Sequence, residues 1–141
     1  MISNPFASFN IEIPNKYREA ALKYSDKSTS PEFAPFERQV DFWFVAFLLA
    51  VNKKLQPEKE SDTYNITPAS IFGTDSKRIG LIQICVLGLT ENFKLIGKHR
   101  AIFDYASQLA YAGMPHLIQI LSDPDDRPLW ALLNEFELMS K

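Results

Sequence analysis

The sequence predicts a mainly α fold, an irregular orthogonal helical bundle of about six or seven helices around one central apolar helix. Three features carry that expectation. Residues 40–51 form the most apolar segment, unbroken from Phe42 to Val51, several later segments repeat apolar residues at i, i+3, i+4 and i+7, and helix-start and helix-stop residues punctuate them. With 141 residues, 46% hydrophobic and 23% charged, the chain has the size and composition of one globular domain over 1–141.

Residues 1–14 lack helical periodicity and contain Pro5 and Pro14, so they read as an extended N-terminal arm that packs through Phe6, Phe9, Ile11 and Ile13. Asn15 is placed to cap a short helix over 16–24, with Tyr17, Ala20, Ala21 and Tyr24 on one face. A polar, proline-bearing loop over 25–35 follows. Pro35 then suits a first helical position, with Glu37 in the first turn, where the helix dipole favours negative charge. That helix is expected to reach Lys54. Its centre, from Phe42 to Val51, is apolar all round, so other elements must enclose it.

Residues 56–65 carry Glu58, Lys59, Glu60 and Asp62 without apolar periodicity and read as a solvated loop. Thr67 and Pro68 signal a short helix over 68–72 that Gly73 ends, and Asp75 is placed to cap a helix over 76–89. In that segment Gly80, Gly88 and the β-branched residues Ile79, Ile82, Ile84 and Val86 keep a strand open as the alternative over 79–89. A helix over 98–112 is expected to stop at Gly113, with a further turn from Pro115 to Leu121. The last helix follows Asp123, Asp125 and Asp126 and presents Leu129, Leu132, Leu133 and Phe136 as an apolar stripe.

The composition narrows the function classes. A net charge of -2 gives no global attraction to a polyanion. The lone Cys85 can form neither an internal disulfide nor a thiolate cluster, which fits a reducing compartment, and no secretory signal is visible, so a cytoplasmic address is expected. The longest apolar run is too short for a membrane span. His99 and His116 stand apart without metal-ligand spacing. No catalytic residue, metal or cofactor is therefore expected. Cys85 paired with a histidine would make a nucleophile on paper, yet its apolar setting favours an inert core thiol. Gly73-Thr74-Asp75-Ser76-Lys77 lacks phosphate-loop spacing and reads as a turn followed by a cap.

Three groups remain as candidates. Arg38 and Asp41, three residues apart, are placed to form a structural ion pair. Lys77, Arg78, Lys94, Lys98 and Arg100 are the cluster available to phosphates or to a protein partner. Trp130 lies off its helix's apolar stripe, as a second-face core residue or a partner anchor. Charge is also segregated: residues 53–100 hold eight Lys or Arg against five Asp or Glu, and residues 101–141 hold two against six. Such a division orients a charged partner or favours head-to-tail contact between copies.

Pro35-Phe36 leading into Asp41-Phe42-Trp43-Phe44-Val45-Ala46, then Phe93-Lys94-Leu95-Ile96, then the run from Tyr105 to Gly113 with Leu117 beyond it, resemble the small proteins encoded beside bacterial DNA phosphorothioation (dnd-type) and restriction genes. The blocks span residues 35–121. The resemblance implies a small helical accessory protein of anti-phage defence and carries no catalytic residues. The chain departs from that pattern in its longer N-terminal arm and in the spacing around Gly73. The expectation is a non-enzymatic interaction or accessory subunit with a protein partner or a second copy of itself. The alternative is a nucleic-acid-binding accessory protein that uses the basic cluster.

Overall fold

The computed structural model describes residues 4–140, so residues 1–3 of the expected arm lie outside the described residues. The chain is mainly helical, with one small antiparallel sheet. In order it forms β1 (Asn10–Pro14), α1 (Arg18–Tyr24), α2 (Gln39–Lys53), β2 (Thr63–Pro68), α3 (Ser76–Thr90), α4 (His99–Leu121) and α5 (Pro128–Met139). Short 3₁₀ segments lie at Asn15–Tyr17, Ala69–Thr74 and Phe93–Leu95.

The apolar run is the centre of the molecule. Phe42, Trp43, Phe44, Ala46, Phe47, Leu49 and Ala50 of α2 are all buried, as a helix apolar on every side requires. Trp43 stacks near Phe47 and Phe103, with ring centroids 6.2 and 6.1 Å apart. Each such fully buried side chain contributes roughly 1.5–3 kcal/mol. The start of α2 differs from expectation: the helix begins at Gln39, not Pro35. The Arg38 backbone is extended (φ -141°, ψ 155°), and its N–H donates to Asp41 Oδ2 at 3.2 Å. That bond satisfies a free amide at Arg38 and fixes the entry point there. Asp41, rather than Glu37, is the acid of the first turn.

The most extensive helix–helix contact is α2 against α4. Helix α4 runs unbroken through both residues expected to interrupt it. Gly113 is buried mid-helix, where a Cβ would stand 1.9 Å from the Ala46 carbonyl oxygen and 2.8 Å from its carbon. Glycine is therefore there for the close approach of two main chains and not as a stop. Pro115 sits inside the same helix and removes the amide that would reach the Tyr111 carbonyl. Tertiary packing overrides both local signals.

The sheet was not anticipated. Residues 63–68, assigned to a loop and a helix start, form β2, which pairs with β1 in antiparallel register from Asn10 opposite Pro68 to Pro14 opposite Thr63. Alternation explains β1, because Ile11 and Ile13 are fully buried while Asn10 faces water and Glu12 lies between the two extremes. A bulge between Ile11 and Glu12 leaves Ile66 as the extra residue of β2. The short helix expected over 68–72 is displaced to the 3₁₀ segment Ala69–Thr74, with Gly73 inside it. The Ala69 N–H donates to the Phe9 carbonyl at 2.8 Å, which lengthens the ribbon.

The segment over 79–89 is helical, within α3. Ile79, Ile82 and Val86 face the core, so burial of one helical stripe decides against the strand. On α5 the buried residues are Ala131 and Leu132, whereas Leu133 is exposed, so the expected stripe is rotated by about one position. No helix among the described residues is long and apolar enough to cross a membrane.

Candidate functional site

Arg38 Nη2 lies 3.2 Å from Asp41 Oδ1, and the same oxygen receives Arg78 Nη2 at 2.9 Å. Arg78 also meets Asp75 at 3.2 Å and lays its guanidinium 4.7 Å from the Phe44 ring centroid. Its role is to fasten α3 to the start of α2, because a planar guanidinium bonds a carboxylate and stacks on an aromatic face at once. Arg100 is likewise engaged, with Asp104 at 3.3 Å and over the Phe9 ring at 5.0 Å.

Lys77, Lys94 and Lys98 form no ion pair among the described residues. They are not one cluster, however. Lys77 lies at the N-terminal end of the 15-residue α3 and Lys94 beyond its other end, which separates them by roughly 20 Å along a helix rising about 1.5 Å per residue. The stretch between is apolar and exposed. Leu81 and Ile84 share the outward stripe of α3 with Lys77 and Gly88, and Phe93 and Ile96 follow in the connection to α4. Ile84, Phe93 and Ile96 are 70%, 69% and 64% exposed, values uncommon for such large apolar side chains. Trp130, 47% exposed, and Leu133 lie on the outer face of α5, exposed Leu138 borders its junction with α4, and Asp123, Asp125, Asp126 and Glu137 stand on or just before that helix.

A polar cleft of about 720 Å³ lies between the ribbon, the chain before β2 and the N-terminal half of α4. Alternation along β1 turns Glu12 away from the core that takes Ile11 and Ile13, and the Thr63 hydroxyl donates to Glu12 Oε1 at 2.8 Å. Two bonds hold the preceding chain in place: Glu58 N–H to the Gln108 carbonyl at 3.0 Å, and Asn15 N–H to the Asp62 carbonyl at 2.9 Å. Glu60 is held below the usual carboxylate range by the Asp62 amide and by Lys16, whose ammonium is 3.3 Å away. From α4 come Arg100, Asp104, Ser107, Gln108 and Tyr111, a polar stripe at i, i+4, i+7, i+8 and i+11.

Tyr111 lines the cleft although only 6% exposed. Its hydroxyl makes no hydrogen bond to any described residue, and it is not among the sealed polar atoms, so it opens onto the cleft. Burial, and then the carboxylates of Glu12, Asp104 and Glu60, push its ionisation far above the ordinary tyrosine range. This phenol keeps its proton at neutral pH. Sequence reading missed Tyr111, Glu12 and Asp104. The polar stripe of α4 was a signal for Asp104 and Tyr111, masked by the stronger apolar stripe of the same helix, whereas Glu12 on β1 carried none.

Cys85 is half-buried, and burial raises its thiol pKa. His116 borders a second depression of about 670 Å³ between α4 and α5, with Lys53, Asp123, Asp126 and Glu135. No group of three or more His, Cys, Asp or Glu residues suited to a metal ion occurs among the described residues. These features define a mainly helical fold with a two-stranded ribbon, exposed apolar side chains on α3 and α5 and a polar cleft beside α4. No protein-family model, curated protein or solved structure matches the chain.

Proposed function

We propose that this chain is a non-enzymatic interaction subunit that assembles head to tail, the α3 face of one copy on the α5 face of the next. The observation that carries the reading is the exposed series Leu81, Ile84, Phe93 and Ile96, flanked by Lys77, Lys94 and Lys98 and facing no element of its own chain. Helix α3 contains no acidic residue, whereas the outer side of α5 combines Trp130 and Leu133 with the Glu137 carboxylate. Apolar contact supplies the affinity and opposite charge the orientation. The raised thiol of Cys85 and the retained proton of Tyr111 support a binding role over turnover. A place beside defence or DNA-modification enzymes, which the sequence resemblance implies, belongs to the same proposal. Neighbouring genes without such enzymes would remove it.

Sedimentation velocity over a wide concentration range tests the assembly. The mean mass rises with concentration and falls with added salt, because a head-to-tail contact does not close on itself and the charges are solvent-exposed. Ile84→Asp or Trp130→Lys alone yields monomer. Mixing the two variants yields a dimer and nothing larger, since each keeps the face the other lacks. A parent protein that stays monomeric throughout overturns the reading. So does binding of duplex DNA at low salt that Lys94→Glu abolishes, which would favour a nucleic-acid accessory role.

A further inference from the structure

The cleft between the ribbon and α4 carries an inference independent of that assembly, because neither apolar face lines it. We infer that it is a binding site for a small organic cation, an alkylammonium of the diamine or polyamine class, held between the Glu12 carboxylate and the Tyr111 hydroxyl. Glu12 is only partly exposed and forms no ion pair among the described residues, its sole hydrogen bond coming from the neutral Thr63 hydroxyl at 2.8 Å. The other carboxylates of the cleft are already matched, Asp104 by Arg100 at 3.3 Å and Glu60 by Lys16 at 3.3 Å. Lys59 lines the same cleft but is exposed, so water screens it.

Tyr111, 6% exposed and without a partner among the described residues, presents a second acceptor in the same cleft. An ammonium group has three donors and no acceptor, so it satisfies a carboxylate and a phenol oxygen together. The Phe9 and Phe103 rings, 5.4 Å apart at their centroids, also line the cleft and offer apolar surface to a methylene chain. About 720 Å³ holds an organic molecule and is far more than an inorganic ion needs. The carboxylates around Tyr111 that oppose its ionisation would favour a positive charge beside it.

Isothermal titration of the full chain with 1,4-diaminobutane and with spermidine, against uncharged 1,4-butanediol, tests the site. The expected result is saturable binding of the amines and none of the diol. Tyr111→Phe and Glu12→Gln each weaken the amines by about tenfold, the loss of one hydrogen bond involving a charged group. Both variants keep side-chain shape, and circular dichroism checks that they fold. Three results overturn the inference: no saturable amine binding, equal binding of the diol, or amine binding that neither substitution alters, which marks adsorption on surface carboxylates.

Discussion

Replacing Gly113 by alanine probes the join between the two central helices. The new Cβ would lie 1.9 Å from the Ala46 oxygen and 2.8 Å from the Ala46 carbonyl carbon, so the helices must part by roughly 1 Å or more. Overpacking of a core costs about 1–3 kcal/mol. Here the upper end applies, because both colliding groups are main chain and no rotamer can yield. Alanine's better helix propensity returns about 1 kcal/mol. The expected net loss is about 2 kcal/mol, read in urea unfolding followed by far-ultraviolet circular dichroism as a midpoint lowered by roughly 1 M for a chain of this size. Gly80→Ala and Gly88→Ala are the controls. A Cβ at either position meets nothing within 4 Å, so each raises stability by about 0.5–1 kcal/mol through helix propensity alone. Ala46→Gly does not rescue Gly113→Ala, since the obstructing oxygen remains. A Gly113→Ala protein as stable as its parent, or one rescued by Ala46→Gly, would refute the reasoning.

Four further outcomes follow from the ion pairs and the shifted groups. Asp41→Ala removes the Arg38 cap and a partner of Arg78 and costs about 2 kcal/mol in urea unfolding. Breaking the exposed Arg100 and Asp104 pair by Asp104→Ala changes stability by no more than about 0.5 kcal/mol. Cys85, its thiol pKa raised by burial, is alkylated by iodoacetamide at pH 8 more slowly in the folded protein than in urea, and equal rates would contradict that burial. Tyr111 retains its proton in the folded chain above the pH at which an unfolded tyrosine loses it. Its stabilising contribution is therefore complete below about pH 10 and declines as pH rises beyond that. Tyr111→Phe flattens the alkaline limb of a stability–pH curve, and an unchanged limb would rule the linkage out.

The central helix was legible because a run apolar on every side has few structural solutions, and from Phe42 to Ala50 all but the partly buried Val45 and Leu48 are buried, as that argument requires. The helical alternative for 79–89 was legible from Ile79, Ile82 and Val86, which lie on one stripe despite the glycines. Local signals misled where contacts distant in sequence decide. Gly113 and Pro115 look like punctuation, yet the first is selected by Ala46 some seventy residues earlier and the second is tolerated within a packed helix. The ribbon escaped notice because β1 and β2 are short, separated by α1 and α2, and each half-formed without the other. In the cleft, the polar residues of α4 were visible one by one, but only the fold sets them opposite Glu12.

The pairing of Asn10 with Pro68 has a kinetic consequence. Helices form within about a microsecond from neighbours in sequence, but this ribbon joins points far apart along the chain, and α2 must likewise wait for α4 before Ala46 meets Gly113. Loop-closure entropy is lost before those contacts repay it. A molecule helical in content thus refolds with the tempo of one whose connectivity is non-local, and its first strand joins only after the partner strand has emerged.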